Sequence, residues 1–163
     1  MKTGSLITNL SLILALCSSL VLASCDGSMV YESIENVPDE GWKSTEPIEF
    51  TVSVEDTTAL QNILVTVRNT SNYKFSNLFL FVTTTSPTGA SVCDTVEVPL
   101  ADDKGRWYGK GFSNYYDMRV PYKRMIKFPY KGEYKILVVQ GMREENLEGI
   151  EKVGVRVEYA KNK

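Results

Sequence analysis

Ile48-Glu49-Phe50-Thr51-Val52-Ser53-Val54-Glu55 alternates apolar and polar side chains without a break. Successive side chains of an extended chain point to opposite faces, so this stretch makes a strand with one buried and one solvated face. The same period returns on either side of it. Ile63, Val65 and Val67 alternate with Leu64, Thr66 and Arg68; Val153, Val155 and Val157 alternate with Gly154, Arg156 and Glu158. Asn77–Thr85 (NLFLFVTTT) begins apolar on both faces, which fits a strand inside a sheet. Ser86-Pro87-Thr88-Gly89 places Pro and Gly where a β-turn wants them and predicts a hairpin with the strand carrying Val92, Val96, Val98 and Leu100. Asp102-Asp103-Lys104-Gly105 predicts a second hairpin, followed by a bulged strand over Arg106–Phe112. Val120–Phe128 and Glu133–Gln140 flank a third turn, Pro129-Tyr130-Lys131-Gly132, and Glu144–Glu151 reads as one turn of helix at most. About eight strands divided by frequent turn signals predict an all-β, antiparallel sandwich. The strand count favours a jelly-roll-like order over an immunoglobulin one, and no cysteine pair brackets a tryptophan.

Composition restricts the function. The chain has 163 residues, 43% of them hydrophobic and 23% charged, which suits one folded domain. With 18 Lys and Arg against 20 Asp and Glu the net charge is −2, far from the positive field of a nucleic-acid binder, and no nucleic-acid partner is expected. There is no histidine. Ser-His-Asp and Cys-His catalysis and every His-ligated metal site are thereby excluded. The acid pairs Asp102–Asp103 and Glu144–Glu145 lie in turns beside Lys104 and Arg143 and read as solvated charge rather than as a general acid and base. Neither an enzyme, nor a cofactor, nor a metal site is expected.

The first 30 positions differ in kind from the rest, because all 17 aromatic residues lie at or after Tyr31. Lys2 is followed by an apolar run from Leu10 to Leu22, too short to span a bilayer comfortably, which needs roughly 20 apolar residues. A basic start, an apolar middle and small residues at the end make a secretory signal. Leu22-Ala23-Ser24-Cys25 resembles a bacterial lipobox. Residues 1–24 are therefore expected to be a lipoprotein signal cleaved between Ser24 and Cys25, with Cys25 lipidated. Two acyl chains at about 0.8 kcal/mol per buried CH₂ anchor a protein effectively for good. Residues 25–46, interrupted by Pro38 and Gly41, are expected to be the lipidated N-terminus and a short tether; Tyr31 and Trp42 suggest that it folds back. Residues 47–163 are expected to be the sandwich domain. Cys93 is left without a disulfide partner and reads as a small buried side chain within a strand.

Two further groups of residues stand out. Trp107, Tyr108, Phe112, Tyr115, Tyr116 and Tyr122 fall within 16 residues, among Arg106, Lys110, Arg119, Lys123 and Arg124. Of these, Trp107, Tyr108, Tyr115, Tyr116 and Tyr122 are candidate contacts to a protein partner or, if they share one exposed face, to a glycan. Asp56-Thr57-Thr58 and Asp94-Thr95-Val96 resemble a short O-glycosylation acceptor, making Thr57 and Thr95 candidates, Thr57 the better one because it lies in a connection.

Taken in order, the lipobox, Gly41-Trp42, Val67-Arg68-Asn69-Thr70, Ser76-Asn77-Leu78-Phe79-Leu80, Asp94-Thr95, the Gly109/Gly111 segment, Met142-Arg143, Leu147-Glu148-Gly149-Ile150 and Val153-Gly154 resemble the gliding-motility lipoprotein H family (GldH) of the Bacteroidetes. The resemblance covers the whole chain after the signal. It implies a non-enzymatic envelope lipoprotein, an accessory or scaffold component of gliding-motility or type IX secretion-associated machinery, with other envelope proteins as partners. It implies a lipid-anchored position on the cell membrane or outer membrane. Surface-exported lipoproteins of the phylum usually carry an acidic run after the cysteine; here only Asp26 follows, so a periplasm-facing position is expected. A glycan-binding sandwich module is the alternative.

Overall fold

The computed structural model describes residues 27–161, all of it strands and their connections. The chain runs β1 (Met29–Asn36), β2 (Trp42–Lys43), β3 (Ile48–Val54), β4 (Gln61–Thr70), β5 (Asn77–Thr85), β6 (Ser91–Pro99), β7 (Lys110–Phe112), β8 (Tyr115–Ile126), β9 (Gly132–Gln140), β10 (Asn146–Leu147) and β11 (Ile150–Tyr159). One antiparallel sheet has the order β1-β11-β4-β8-β7 and the other the order β3-β9-β5-β6, with β2 and β10 paired separately. The eight long strands thus form two four-stranded layers between which the chain repeatedly crosses, a jelly-roll sandwich. The short strands are trim.

Period-two patterning builds the core as expected. Phe50, Val52 and Val54 of β3, Leu78, Leu80 and Val82 of β5 and Ile136 and Val138 of β9 face Ile63, Val65 and Val67 of β4 and Val153, Val155 and Val157 of β11, all of them buried. Fully burying each such side chain contributes about 1.5–3 kcal/mol. The β5–β6 hairpin closes at Ser86–Ala90, where Gly89 takes φ +87 and its N–H donates to the Ser86 carbonyl.

Three local expectations need correction: the tether over residues 29–36, the strand over Arg106–Phe112 and the burial of Cys93. Residues 29–36, read as tether, are strand β1, paired along its length with β11. Its outward side chains are mixed because it is an edge strand held by backbone bonds, so no alternation marks it. Trp42 is 1% exposed and its Nε1 donates to the Glu46 carbonyl, so this part also belongs to the folded unit. Of Arg106–Phe112 only Lys110–Phe112 is a strand, and it pairs with β8; Trp107 makes no more than an isolated bridge back to Ala101, just past β6. The turn expected at Asp102–Gly105 does form: the Asp102 carboxylate accepts the N–H groups of Lys104 and Arg106, Ala101 bridges antiparallel to Trp107, and the Tyr108 N–H donates to the Leu100 carbonyl, so the hairpin is present but short. Segment 144–151 contains no helical turn; Asn146-Leu147 pairs with Trp42-Lys43, and Gly149 at φ +84 turns the chain into β11. Finally, Cys93 is exposed, because β6 is an edge strand and position 93 lies on its outer face opposite Thr83.

Candidate functional site

The aromatic segment does not assemble into one platform. The Trp107 and Tyr116 rings pack 5.5 Å apart at 31°, with Trp107 half-buried against the core. Tyr108 (56%) and Tyr115 (44%) are exposed near this end. Tyr122 lies seven residues further along β8 than Tyr115, about 23 Å at ~3.3 Å per residue. It is half-buried, and its hydroxyl donates to Asp94 Oδ2 at 2.7 Å and lies 3.4 Å from Thr84 Oγ1. Burial pushes the Tyr122 phenol up to about 12, while the Tyr122 and Lys123 hydrogen bonds hold the Asp94 carboxyl below the usual carboxylate range. The candidate aromatic contacts are thus divided between two ends, and the described residues present three surfaces of different chemistry.

The first is a groove of about 540 Å³ on the outer face of the first sheet, containing Tyr108, Lys110 and Arg119. Its floor is an Arg68–Asp117 fork, Nε to Oδ1 and Nη2 to Oδ2 both at 2.7 Å, joining β4 to β8. That bidentate bond keeps the Asp117 carboxyl ionised below its ordinary range. Beside it, Glu32 of β1 is shared between Arg119 and the buried Arg156 of β11, which also donates to Glu158. Sequence reading missed this ladder because its members come from four strands; only register brings them side by side.

The second is a cleft of about 390 Å³ between the sheets, lined by Tyr122, Phe128, Tyr130, Tyr134 and Val92, with Asp94 and Lys123 at one side. The third is the outer face of β5. Phe79 and Phe81 point away from the core and are 37% and 45% exposed. Phe81 stands opposite Val139, the half-buried Leu137 follows on the same face, and Met142 Sδ accepts the Phe79 N–H at 3.4 Å. An outer face of an antiparallel sheet is ordinarily polar. The two-sided apolar run NLFLFV signalled a strand inside a sheet, and β5 does lie between β9 and β6, with its second apolar face turned to solvent.

Thr95 is exposed on β6 and Thr57 is half-buried in the loop after β3, which reverses their expected order of accessibility. Ser24 and Cys25 lie outside the described residues. Among the described residues no group of three or more His, Cys, Asp and Glu side chains has metal-holding geometry, and no helix is long and apolar enough to cross a membrane.

The profile of the GldH lipoprotein family matches residues 29–157. The chain is 35% identical over 150 residues to "Gliding motility lipoprotein GldH" of Flavobacterium johnsoniae, covering 88% of this chain and 92% of that one. It is 31% identical over 150 residues to "Gliding motility lipoprotein GldH homolog" of Christiangramia forsetii, covering 88% and 91%. Among solved structures, a family GH115 4-O-methyl-α-glucuronidase superposes with a TM-score of 0.42 at 12% identity over 85% of this chain, and the infectious bursal disease virus VP2 subviral particle with 0.35 at 13% over 82%. This chain spans only 18% and 31% of those larger proteins, and the likeness carries no argument about function.

Proposed function

Because this chain belongs to the GldH lipoprotein family, we propose that it is a non-enzymatic, lipid-anchored envelope protein. Its work is to hold a partner of the gliding-motility or type IX secretion-associated machinery, on the periplasmic side of the cell or outer membrane. The observation that carries the docking role is the outer face of β5, where Phe79, Phe81, Val139 and Met142 keep an apolar patch in water. Aromatic and methionine side chains at the centre of a patch, with Glu49, Lys135 and Glu97 at its edge, are the composition of a protein interface. The partner this face fits is a protein presenting apolar side chains. A photo-crosslinking amino acid at position 81 is expected to trap one protein repeatedly from intact cells, and Phe79→Glu is expected to abolish that product without lowering Tm. Capture of no discrete protein ends the reading.

A glycan-binding role keeps one supporting observation, the exposed Tyr108 ring beside the Arg68–Asp117 groove. The full chain binding a soluble glycan, with Tyr108→Ala losing at least tenfold in affinity, would favour it over the docking role.

A further inference from the structure

The structure shortens the distance between the expected lipid and the folded domain to almost nothing. Ser28 already accepts the Tyr159 N–H through its carbonyl, and β1 begins at Met29. Only Asp26 and Gly27 separate Cys25 from Ser28, three Cα–Cα steps with a reach of at most about 11 Å. If Cys25 carries the lipid, one particular end of the sandwich is held against the bilayer.

That end is defined by register. Met29 pairs with Glu158, Tyr159 with Gln61, and Gln61 with Ile126, so the start of β1 and the end of β8 lie together. In the second sheet Val54 pairs with Gly132, and Lys131 acts on Asp56 in the neighbouring loop, so residues 127–131 lie at the same end. Two properties meet there. Between Asp117 and Glu133 the sequence has five Lys and Arg residues and no acid. Four of them, Lys123, Arg124, Lys127 and Lys131, fall in the last part of β8 and the loop after it. Lys123 is engaged by Asp94; Arg124 and Lys127 form no ion pair among the described residues.

The apolar side chains are placed to match. Of the ten exposed large hydrophobic residues among those described, five (Met29, Val92, Met125, Tyr130 and Tyr159) belong to this end. Met125 is the most instructive. It sits at φ +50 in the bulged end of β8, with its N–H held by Asn62 Oδ1, and its side chain is 58% exposed. A left-handed backbone on a non-glycine residue is costly and persists only where the surroundings enforce it. Here it presents a flexible apolar side chain to solvent between basic neighbours. Among the described residues the acids at this end are Glu55, Asp56, Glu133, Asp94 and Glu158. Asp56 is satisfied by Thr58 and Ala59, Asp94 by Tyr122 and Lys123, and Glu158 by Arg156, which leaves Glu55 and Glu133 on the surface.

From this arrangement we infer that the β8–β9 end is a second membrane-binding element: Arg124, Lys127 and Lys131 lie on anionic headgroups while Met125 and Tyr130 enter the interface. The inference rests on the lipid-anchored reading for its geometry. Basic residues near an anionic leaflet strengthen binding by about fivefold each, and one lipid signal plus a polybasic patch holds a protein in a fixed orientation where a lipid alone leaves it free to swivel.

Reconstitution of the full chain carrying Tyr130→Trp into vesicles with brominated acyl chains tests it, in phosphatidylglycerol-rich and in pure phosphatidylcholine form. The native tryptophans serve as the control, since Trp42 is buried and Trp107 lies at the other end near Tyr115. Position 130 is expected to be quenched at least threefold more in the anionic vesicles. Adding Arg124→Gln, Lys127→Gln and Lys131→Gln is expected to remove that difference. Equal quenching in both vesicles, or none at position 130, overturns the inference. Intact mass of the same preparation reads the lipid on Cys25 separately. If it is absent, flotation of that protein with anionic but not zwitterionic vesicles, weakened about a hundredfold by the triple Gln substitution, supports the surface. No flotation refutes it.

Discussion

Gly149 shows how one residue holds two parts of the fold together. It takes φ +84, and a Cβ there would stand 2.8 Å from the Tyr73 Cα, a backbone atom that cannot rotate away. Its carbonyl meanwhile accepts the Thr70 N–H, tying the turn before β11 to the end of β4. Gly89 has nearly the same φ, +87, but open space where its Cβ would be. Gly89→Ala is therefore expected to cost about 1 kcal/mol for the left-handed backbone alone, and Gly149→Ala about 3 kcal/mol because strain and collision add. Paired urea melts measure the difference; equal losses would mean that the turn relaxes away from Tyr73. The resemblance in sequence picked out Leu147-Glu148-Gly149-Ile150, but the reason for glycine is the approach of Tyr73, which no local pattern contains.

Strands β4 and β8 illustrate what pairing adds to patterning. The inner residues of β4 were legible as alternation and β8 was expected only from Val120 onward, whereas the Arg68–Asp117 fork exists only because the register sets those two opposite each other. The fork lowers the folded-state pKa of Asp117 below that of the unfolded chain, about 3.9. A group whose folded pKa is depressed contributes stability that is present above the unfolded value and lost as pH falls through the folded one. Stability should accordingly fall on acidification from about pH 4 downward, and Asp117→Asn should flatten that slope while lowering stability at pH 7 by no more than about 1 kcal/mol, since both partners are partly exposed and screened. Urea melts at pH 7, 4 and 3 for both proteins provide the check; an unchanged slope would assign the acid sensitivity to other carboxylates. Strand β1 is the counterpart: an edge strand, mixed in its outward face, that local periodicity could not distinguish from a tether.

For the whole molecule, the proposed anchor and the fold are separable in energy but joined in geometry. Cys25 precedes the first strand, so Cys25→Ala is expected to leave the melting temperature of the β-domain unchanged within about 2 °C, while most of the protein leaves the membrane fraction after a high-salt wash. Full retention after that wash would refute Cys25 as the principal anchor. At low salt some binding should persist through the basic end of β8, because surface charge is screened only as ionic strength rises. The sequence by itself determined the fold class, the main strands and their buried faces, and the family, because period-two alternation and turn chemistry are local and survive in one dimension. Tertiary structure alone decided which strands became neighbours, that the supposed tether is an edge strand, that the aromatic segment divides between two ends, and that basic and apolar residues gather beside the chain's exit toward Cys25. Those are matters of register and sheet order, set by contacts between residues far apart in the chain, and no spacing along it encodes them.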